Sequence, residues 1–216
     1  MPSVKELVKS TRRIFVTAVP SVKELVKSTR RIFVTADTHF GHTEAIAQFK
    51  RPFASVDAMD EAMIANMNAV VGANDILIHL GDFTGPRDWN GAECKRVAAL
   101  RDRIACRHLH LVRGNHDPDN EKRFDELFES VSDVISARGI SGVDERIVMF
   151  HYPIDQWQGR PNGGFHLHGH VHAFSSTVAR RCDVGVDVPA HAFAPQPLVE
   201  LIAQLRDTPP SGFVRA

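Results

Sequence analysis

Three cysteines, none in a CxxC pair, are too few and too oddly numbered for a disulfide framework, and fit reduced, partly buried thiols instead. Net charge is also lacking: 26 Lys and Arg balance 26 Asp and Glu, so the molecule projects no positive field to gather long duplex nucleic acid. A small anionic substrate stays compatible with neutrality, because bound divalent cations would supply positive charge locally. No apolar stretch nears the roughly 20 residues of a membrane span, and Lys and Glu stand where a signal peptide has its apolar centre. A cytoplasmic protein without membrane association is therefore expected. Pro/Gly/Ser-rich linkers are missing too, and 216 residues with 43% apolar content suffice for one buried core.

What is present begins with a repeat. Residues 2–18 (PSVKELVKSTRRIFVTA) recur unchanged as 20–36, joined by Val19. Without divergence, this is a recent duplication or a product of the gene call rather than an old structural repeat. Only the second copy runs on into Asp37 and His39, so residues 1–19 are expected to be an appendage, disordered or a loosely held helix, and 20–216 the single domain. The spare RIFVTA also has the alternative of competing for the same slot in a sheet, or of pairing at an edge. Each copy carries +3, so removing one from a chain of zero net charge leaves −3. The appendage hides a mildly acidic domain.

From residue 31 onward, apolar runs of strand length alternate with helical periodicity. The pattern predicts strands over 31–36, 75–80, 108–112, 131–136, 146–150, 165–167 and 181–186. Helices are predicted over 44–50, 56–71, 93–103 and 121–129, with a short one near 198–205. The first half alternates strand and helix and the second is mostly strands, which suggests an α/β domain of two packed sheets with helices outside.

Five polar segments each follow a predicted strand, so all can gather at one edge of the sheets. Asp37 and His39, two residues apart, are expected to point the same way by strand pleating and to share one ion. Asp82 follows Gly81 at a strand end, where its carboxylate is placed to bridge two ions, although a Gly-Asp turn is common by itself. In Gly114-Asn115-His116-Asp117 the Asn amide oxygen is a neutral metal donor, His116 a candidate acid, and Asp117 the group that orients the imidazole and favours its protonated form. A polar turn capping the next helix is the competing reading. His170 and His172 again share a predicted strand face. His151 leaves the apolar run RIVMF, and acquires interest from its company.

The set DTHFGH, GNHD and HLHGHVH, in this order, resembles the calcineurin-like metallophosphoesterase superfamily, and within it the small bacterial and phage phosphoesterase branch, over about residues 31–188. The resemblance implies a four-layer α/β/β/α sandwich of two mixed sheets flanked by helices, with a dinuclear metal centre at the sheet edge. It further implies that Asp37, His39 and His172 hold one ion and Asn115, His151 and His170 the other, with Asp82 shared, and that a hydroxide between the ions attacks phosphorus in line. His116 would stabilise the developing charge or protonate the leaving oxygen. Mixed N and O donors suit transition ions, manganese first, with iron, zinc, nickel and cobalt open. The expected activity is hydrolysis of small phosphodiesters such as nucleotides. Phosphomonoesters or nucleic acid are the alternative substrates, and a non-enzymatic scaffold is disfavoured by the complete donor set.

Four residues are placed to influence substrate choice. Arg113 stands where the similar protein phosphatases have a phosphate-binding Arg, although alternation would also send it outward as a solvated charge. His42 is placed either near the phosphate, behind the ligands, or as a helix cap. In the segment 154–164, Trp157 is placed to stack on a base and Arg160 to pair a phosphate, with loop packing as the alternative for Trp157. His79, His108, His110, His166, His168 and His191 are expected to be structural or surface residues.

Overall fold

The computed structural model describes residues 25–85, 89–119, 121–173 and 178–207. The expectations for residues 1–19 lie outside them. Among the described residues no helix is long and apolar enough to cross a membrane.

Continuous apolar runs make the strands of the first sheet, as expected where both faces are buried. In β1 (Ile32–Thr35) all four residues are buried; Ile32 and Val34 face one core and Phe33 the other. The chain continues through α1 (Thr43–Gln48), α2 (Val56–Val70), β2 (Ile76–His79), α3 (Gly91–Arg103), β3 (His108–Val112), α4 (Lys122–Asp125) and β4 (Ser130–Ser132). β1, β2, β3 and β4 pair in parallel. The second sheet follows with β5 (Val134–Ala137), β6 (Ile147–Phe150), β7 (Phe165–His168) and β8 (Arg181–Asp183). Finally β9 (Gln196–Pro197) returns antiparallel to β1, before α5 (Leu198–Arg206). The sheet orders are β4-β3-β2-β1-β9 and β5-β6-β7-β8, and both sheets are mixed.

α2 is held to the outer face of the first sheet by Met59, Met63 and Met67, spaced by four and fully buried against the side of β1 to β3 that carries Phe33, Leu77, Leu109 and Leu111. Ser55 caps it by accepting the Ala58 amide at 3.1 Å. α3 adds Val97 and Leu100 to the same core, capped by Asn90. Between the sheets, Ile32, Val34, Ile76 and Ile78 meet Ile135, Ile147, Met149, Phe165 and Leu167. α5 closes that core with Leu198, Leu201 and Ile202. The result is the expected pair of mixed sheets flanked by helices.

Three predicted elements differ, and one of them is the strand over 181–186, which ends at Asp183. The single strand 131–136 is two: β4 belongs to the first sheet and β5 to the second, and the chain changes sheets at Asp133. The helix over 121–129 stops at Asp125, because the Glu129 amide is taken by the Leu109 carbonyl at 2.8 Å as the chain joins β3.

One buried histidine of β2 links the fold to pH. His79 lies 3.0 Å from the Thr38 hydroxyl, whose proton goes to the Phe83 carbonyl, so His79 Nε2 is the donor. Burial first, then His151, lowers its pKa to about 3. The folded protein leaves His79 neutral down to that pH, whereas the unfolded chain takes up a proton near 6.5. Stability is therefore lost through this residue as pH falls from about 6.5 to about 3, at about 1.4 kcal/mol per pH unit. Urea unfolding of His79→Gln between pH 7 and 4 is expected to give a slope shallower by one proton; parallel curves for the two proteins would contradict it.

Candidate metal centre

Five parallel strands, β1, β2, β3, β6 and β7, point their C-terminal ends at one edge, and the expected segments leave from them. Behind β1, Ala36 bridges to Gly185 and accepts the Val186 amide at 3.1 Å, which ties the two sheets together at this edge.

The structure gathers the predicted donors into two groups. Asp37, His39 and His172 offer ligand atoms within 4.8 Å of one another, and Asp82, His151 and His170 do the same. Asp82 lies between the groups, its Oδ2 3.5 Å from both His39 Nε2 and His151 Nε2. Asn115 joins the second group, its Oδ1 3.1 Å from His151 Nε2. The other oxygen of Asp82 is occupied by the His116 amide at 2.8 Å.

The residues converge for a reason other than pleating. Strand pairing ends before every one of them, and Asp37, His39, Asp82, His170 and His172 all sit at positive φ, between 46° and 72°. Left-handed backbone at a non-glycine residue costs roughly 1–3 kcal/mol and concentrates at functional sites. It persists here because the loops are zipped together, with the amides of Asp37, His39 and Phe40 donating to the carbonyls of Gly81, Asp82 and Phe83 at 3.0 Å. Close approach does the rest: a Cβ at Gly169 would meet Asp37 Oδ2 at 2.6 Å, and one at Gly114 would meet the Asp82 amide nitrogen at 2.2 Å.

The electrostatics fit cations. His39 Nε2 is buried without a hydrogen-bond partner, an arrangement that costs free energy unless a cation takes the lone pair. Burial, then Asp183 and Asp82, pushes the Asp37 carboxyl well above its usual range, and burial holds His39 well below its own. Two carboxylates, Asp37 and Asp82, stand among the imidazoles of the donor groups, and divalent ions would supply the counter-charge. The groups behind the donors set their orientation. His151 Nδ1 donates to the Leu80 carbonyl at 2.8 Å and His172 Nδ1 faces Asp187 at 2.7 Å, leaving Nε2 of each toward the cleft.

Several expectations are corrected. Asp117 does not touch the His116 imidazole. Both its oxygens accept backbone amides, from Asp82, Gly114, Phe83 and Thr84, so it secures the turn that carries Asp82, and burial with Asp82 nearby raises its pKa to about 7. His116 Nδ1 instead donates to the Gly85 carbonyl at 2.8 Å, with its ring 4.8 Å from that of His39. Arg113 turns away to Asp125, at 2.7 Å, and to the Pro118 carbonyl. Trp157 is 6% exposed, donates to the Gly164 carbonyl and packs on His166, as the loop-packing alternative had it. Arg160 lies over the Trp157 ring and bonds the Asp155 carbonyl. His42 precedes α1 without capping it, and its ring stands against His39. Of the other histidines, His79, His110, His166, His168 and His191 are buried, and His108 pairs with Glu129 at 2.7 Å.

Three residues escaped the sequence. Arg51, 4% exposed, donates to the carbonyls of Asp37 and Thr38 and to both oxygens of Asp187. Asp187 had one signal, the two-residue spacing of Asp183, Gly185 and Asp187; Arg51 had none, since nothing local marks it. Tyr152, 36% exposed, sets its ring 4.7 Å from His170 and 4.9 Å from His151 at the rim.

The family model described as Calcineurin-like phosphoesterase matches residues 30–142. His151, His170 and His172 lie beyond that match, and the fold alone brings them to the edge. The uncharacterized protein MJ1445 of Methanocaldococcus jannaschii is 30% identical over 138 residues, 64% of this chain and 67% of its own length. Among solved structures, the protein of unknown function AQ665 from Aquifex aeolicus superposes with a TM-score of 0.62 at 22% identity, over 81% of this chain and 99% of its own. The nuclease MPE of Pseudomonas putida overlaps at a TM-score of 0.43 and 26% identity, over 66% of this chain and 61% of that one.

Proposed function

Because the chain belongs to the calcineurin-like phosphoesterase family, and is thereby a metal-dependent phosphoester hydrolase, we propose that it cleaves small phosphodiesters such as nucleotides at a centre of two divalent cations. The observation that carries this is Asp82 Oδ2 standing 3.5 Å from an imidazole of each donor group. Asp37, His39 and His172 would hold one cation, Asn115, His151 and His170 the other, with Asp82 between them. When bound, the pair supplies Lewis acidity and a water of lowered pKa, poised for in-line displacement.

The chain's own residues do the rest. Asp82 divides its carboxylate, one oxygen fixed by the His116 amide and the other offered to both donor groups. His116, anchored through Nδ1 on the Gly85 carbonyl, has Nε2 as the atom that faces a substrate, to donate a proton to the leaving oxygen or a hydrogen bond to a phosphoryl oxygen. Diesters suit the site better than monoesters. Arg113, the candidate for binding substrate phosphate, is engaged by Asp125 and Pro118 and offers no extra positive charge for a doubly charged monoester. A diester carries one charge fewer.

Turnover of bis(p-nitrophenyl) phosphate, p-nitrophenyl phosphate, cyclic nucleotides and single-stranded DNA with manganese, zinc, nickel or cobalt tests both levels. Higher kcat/KM for the monoester would refute the diester preference, and no turnover with any ion would refute the hydrolase itself. His116→Ala is expected to lower kcat by about 10²–10⁴-fold for poor leaving groups, and less for p-nitrophenolate, with metal content unchanged. Loss of both ions in that variant would move His116 into the ligand set.

A further inference from the structure

His42 Nδ1 lies 3.1 Å from His39 Nδ1, a nitrogen-to-nitrogen contact that only one proton can make favourable. The opposite nitrogen of His39, Nε2, is buried without a partner and faces Asp82. As a cation ligand Nε2 must present its lone pair, so the one proton of the neutral ring belongs on Nδ1 and points at His42. His42 can receive it only through its own Nδ1 lone pair, which places the proton of His42 on Nε2, 3.7 Å from Glu44 Oε2. We propose that His42 is the positioning residue for His39, accepting its Nδ1 proton and thereby fixing Nε2 on the first cation. It fills for His39 the place that the Leu80 carbonyl fills for His151 and Asp187 for His172. The inference rests on the two-cation centre proposed above.

The surroundings hold His42 against His39. Because His39, His42 and His116 also offer ligand atoms within 4.8 Å of one another, a direct ligand role for His42 is the competitor, and the proton positions of the two rings separate it from positioning. It stands at the N-terminus of α1, yet its side chain caps no amide. Its own amide donates back to the His39 carbonyl at 3.0 Å, which closes the turn between the two rings. The chain at Gly85 also comes close, since a Cβ there would fall 2.0 Å from the His42 Cβ. Rings of His39 and His116 stand 5.2 and 5.4 Å away and 4.8 Å from each other, so His42 completes a cluster of three imidazoles.

The test uses zinc as the probe and counts ions. Purified full-length protein is loaded with Zn²⁺, titrated with a competing chelator, and its content measured by elemental analysis. His42→Ala is expected to weaken one of two zinc ions by 10–100-fold and leave the other near its wild-type affinity. His42→Asn, whose amide oxygen occupies the position of Nδ1 and accepts the same proton, is expected to recover most of the loss. Two ions held by His42→Ala as tightly as by the wild type, or His42→Asn no better than His42→Ala, would overturn the positioning role while leaving the metal centre intact. Wild-type protein that binds no zinc would overturn both. Should His42→Ala fail to fold, nitrogen-15 NMR of the zinc-loaded wild type decides: a protonated Nδ1 on His39 and a bare Nδ1 on His42 support the assignment, and the reverse pattern ends it.

Discussion

Asp82→Asn is expected to lower phosphodiester turnover by about 10³-fold or more, corresponding to about 4 kcal/mol of transition-state stabilisation. The substitution keeps an oxygen for the His116 amide, at 2.8 Å in the native protein, so the turn that carries Asn115 and His116 should survive. What disappears is the charge shared between His39 and His151. Elemental analysis should find fewer than two tightly held ions, and circular dichroism a native spectrum. Undiminished turnover in this variant would remove the basis for a shared carboxylate, and with it the two-cation centre.

The second large effect is on stability. Arg51 is buried and serves four oxygen acceptors at once, the carbonyls of Asp37 and Thr38 at 2.6 and 2.9 Å and the two oxygens of Asp187 at 2.8 and 2.7 Å, with the Met59 sulfur a fifth acceptor at 3.4 Å. Arg51→Ala leaves Asp187 buried and half-compensated, and frees the left-handed turn at Asp37. Breaking one side of such a pair costs about 3–5 kcal/mol, which urea unfolding would measure. Arg51→Lys should recover only part, since an ammonium cannot present the flat fork of a guanidinium to a carboxylate and two carbonyls together. Because Asp187 also orients His172, at 2.7 Å, Arg51→Ala should weaken cation binding at the proposed Asp37, His39 and His172 group as well as the fold. A loss below 1 kcal/mol would show that the pair is no more than a surface contact in energetic terms.

The two effects belong to one design, in which strain at the donors is held by a rigid surround. Five of the seven proposed ligands adopt positive φ, a conformation with a cost at each position. Arg51 satisfies the carbonyl of the first of them and Asp117 the amide of another, Asp82, so these two buried charged residues stabilise the backbone on which the ligands ride. Neither needs to touch a substrate to matter for turnover.

Composition and order alone determined that this chain is an α/β protein whose strand ends carry Asp37, His39, Asp82, Asn115, His151, His170 and His172. Donor chemistry is a property of residue type, and strand periodicity is local, so both can be read along the chain. The same holds for α2, where a methionine every fourth residue announces its buried face. Orientation is not local. The partner of a side chain is chosen by whatever the fold brings near it, which is why Asp117, adjacent to His116, bonds instead to amides 33 to 35 residues away, and why Arg51 finds Asp187 across 136 residues. Pleating does not explain the convergence: Asp37 and His39 reach one donor group from loops zipped to 81–83 at positive φ, while His170 and His172, expected to share a strand face, fall in different donor groups. Tertiary structure alone decided that β4 and β5 part at Asp133 into different sheets, since one continuous stretch of strand-forming residues carries no mark of which neighbour will hydrogen-bond each half.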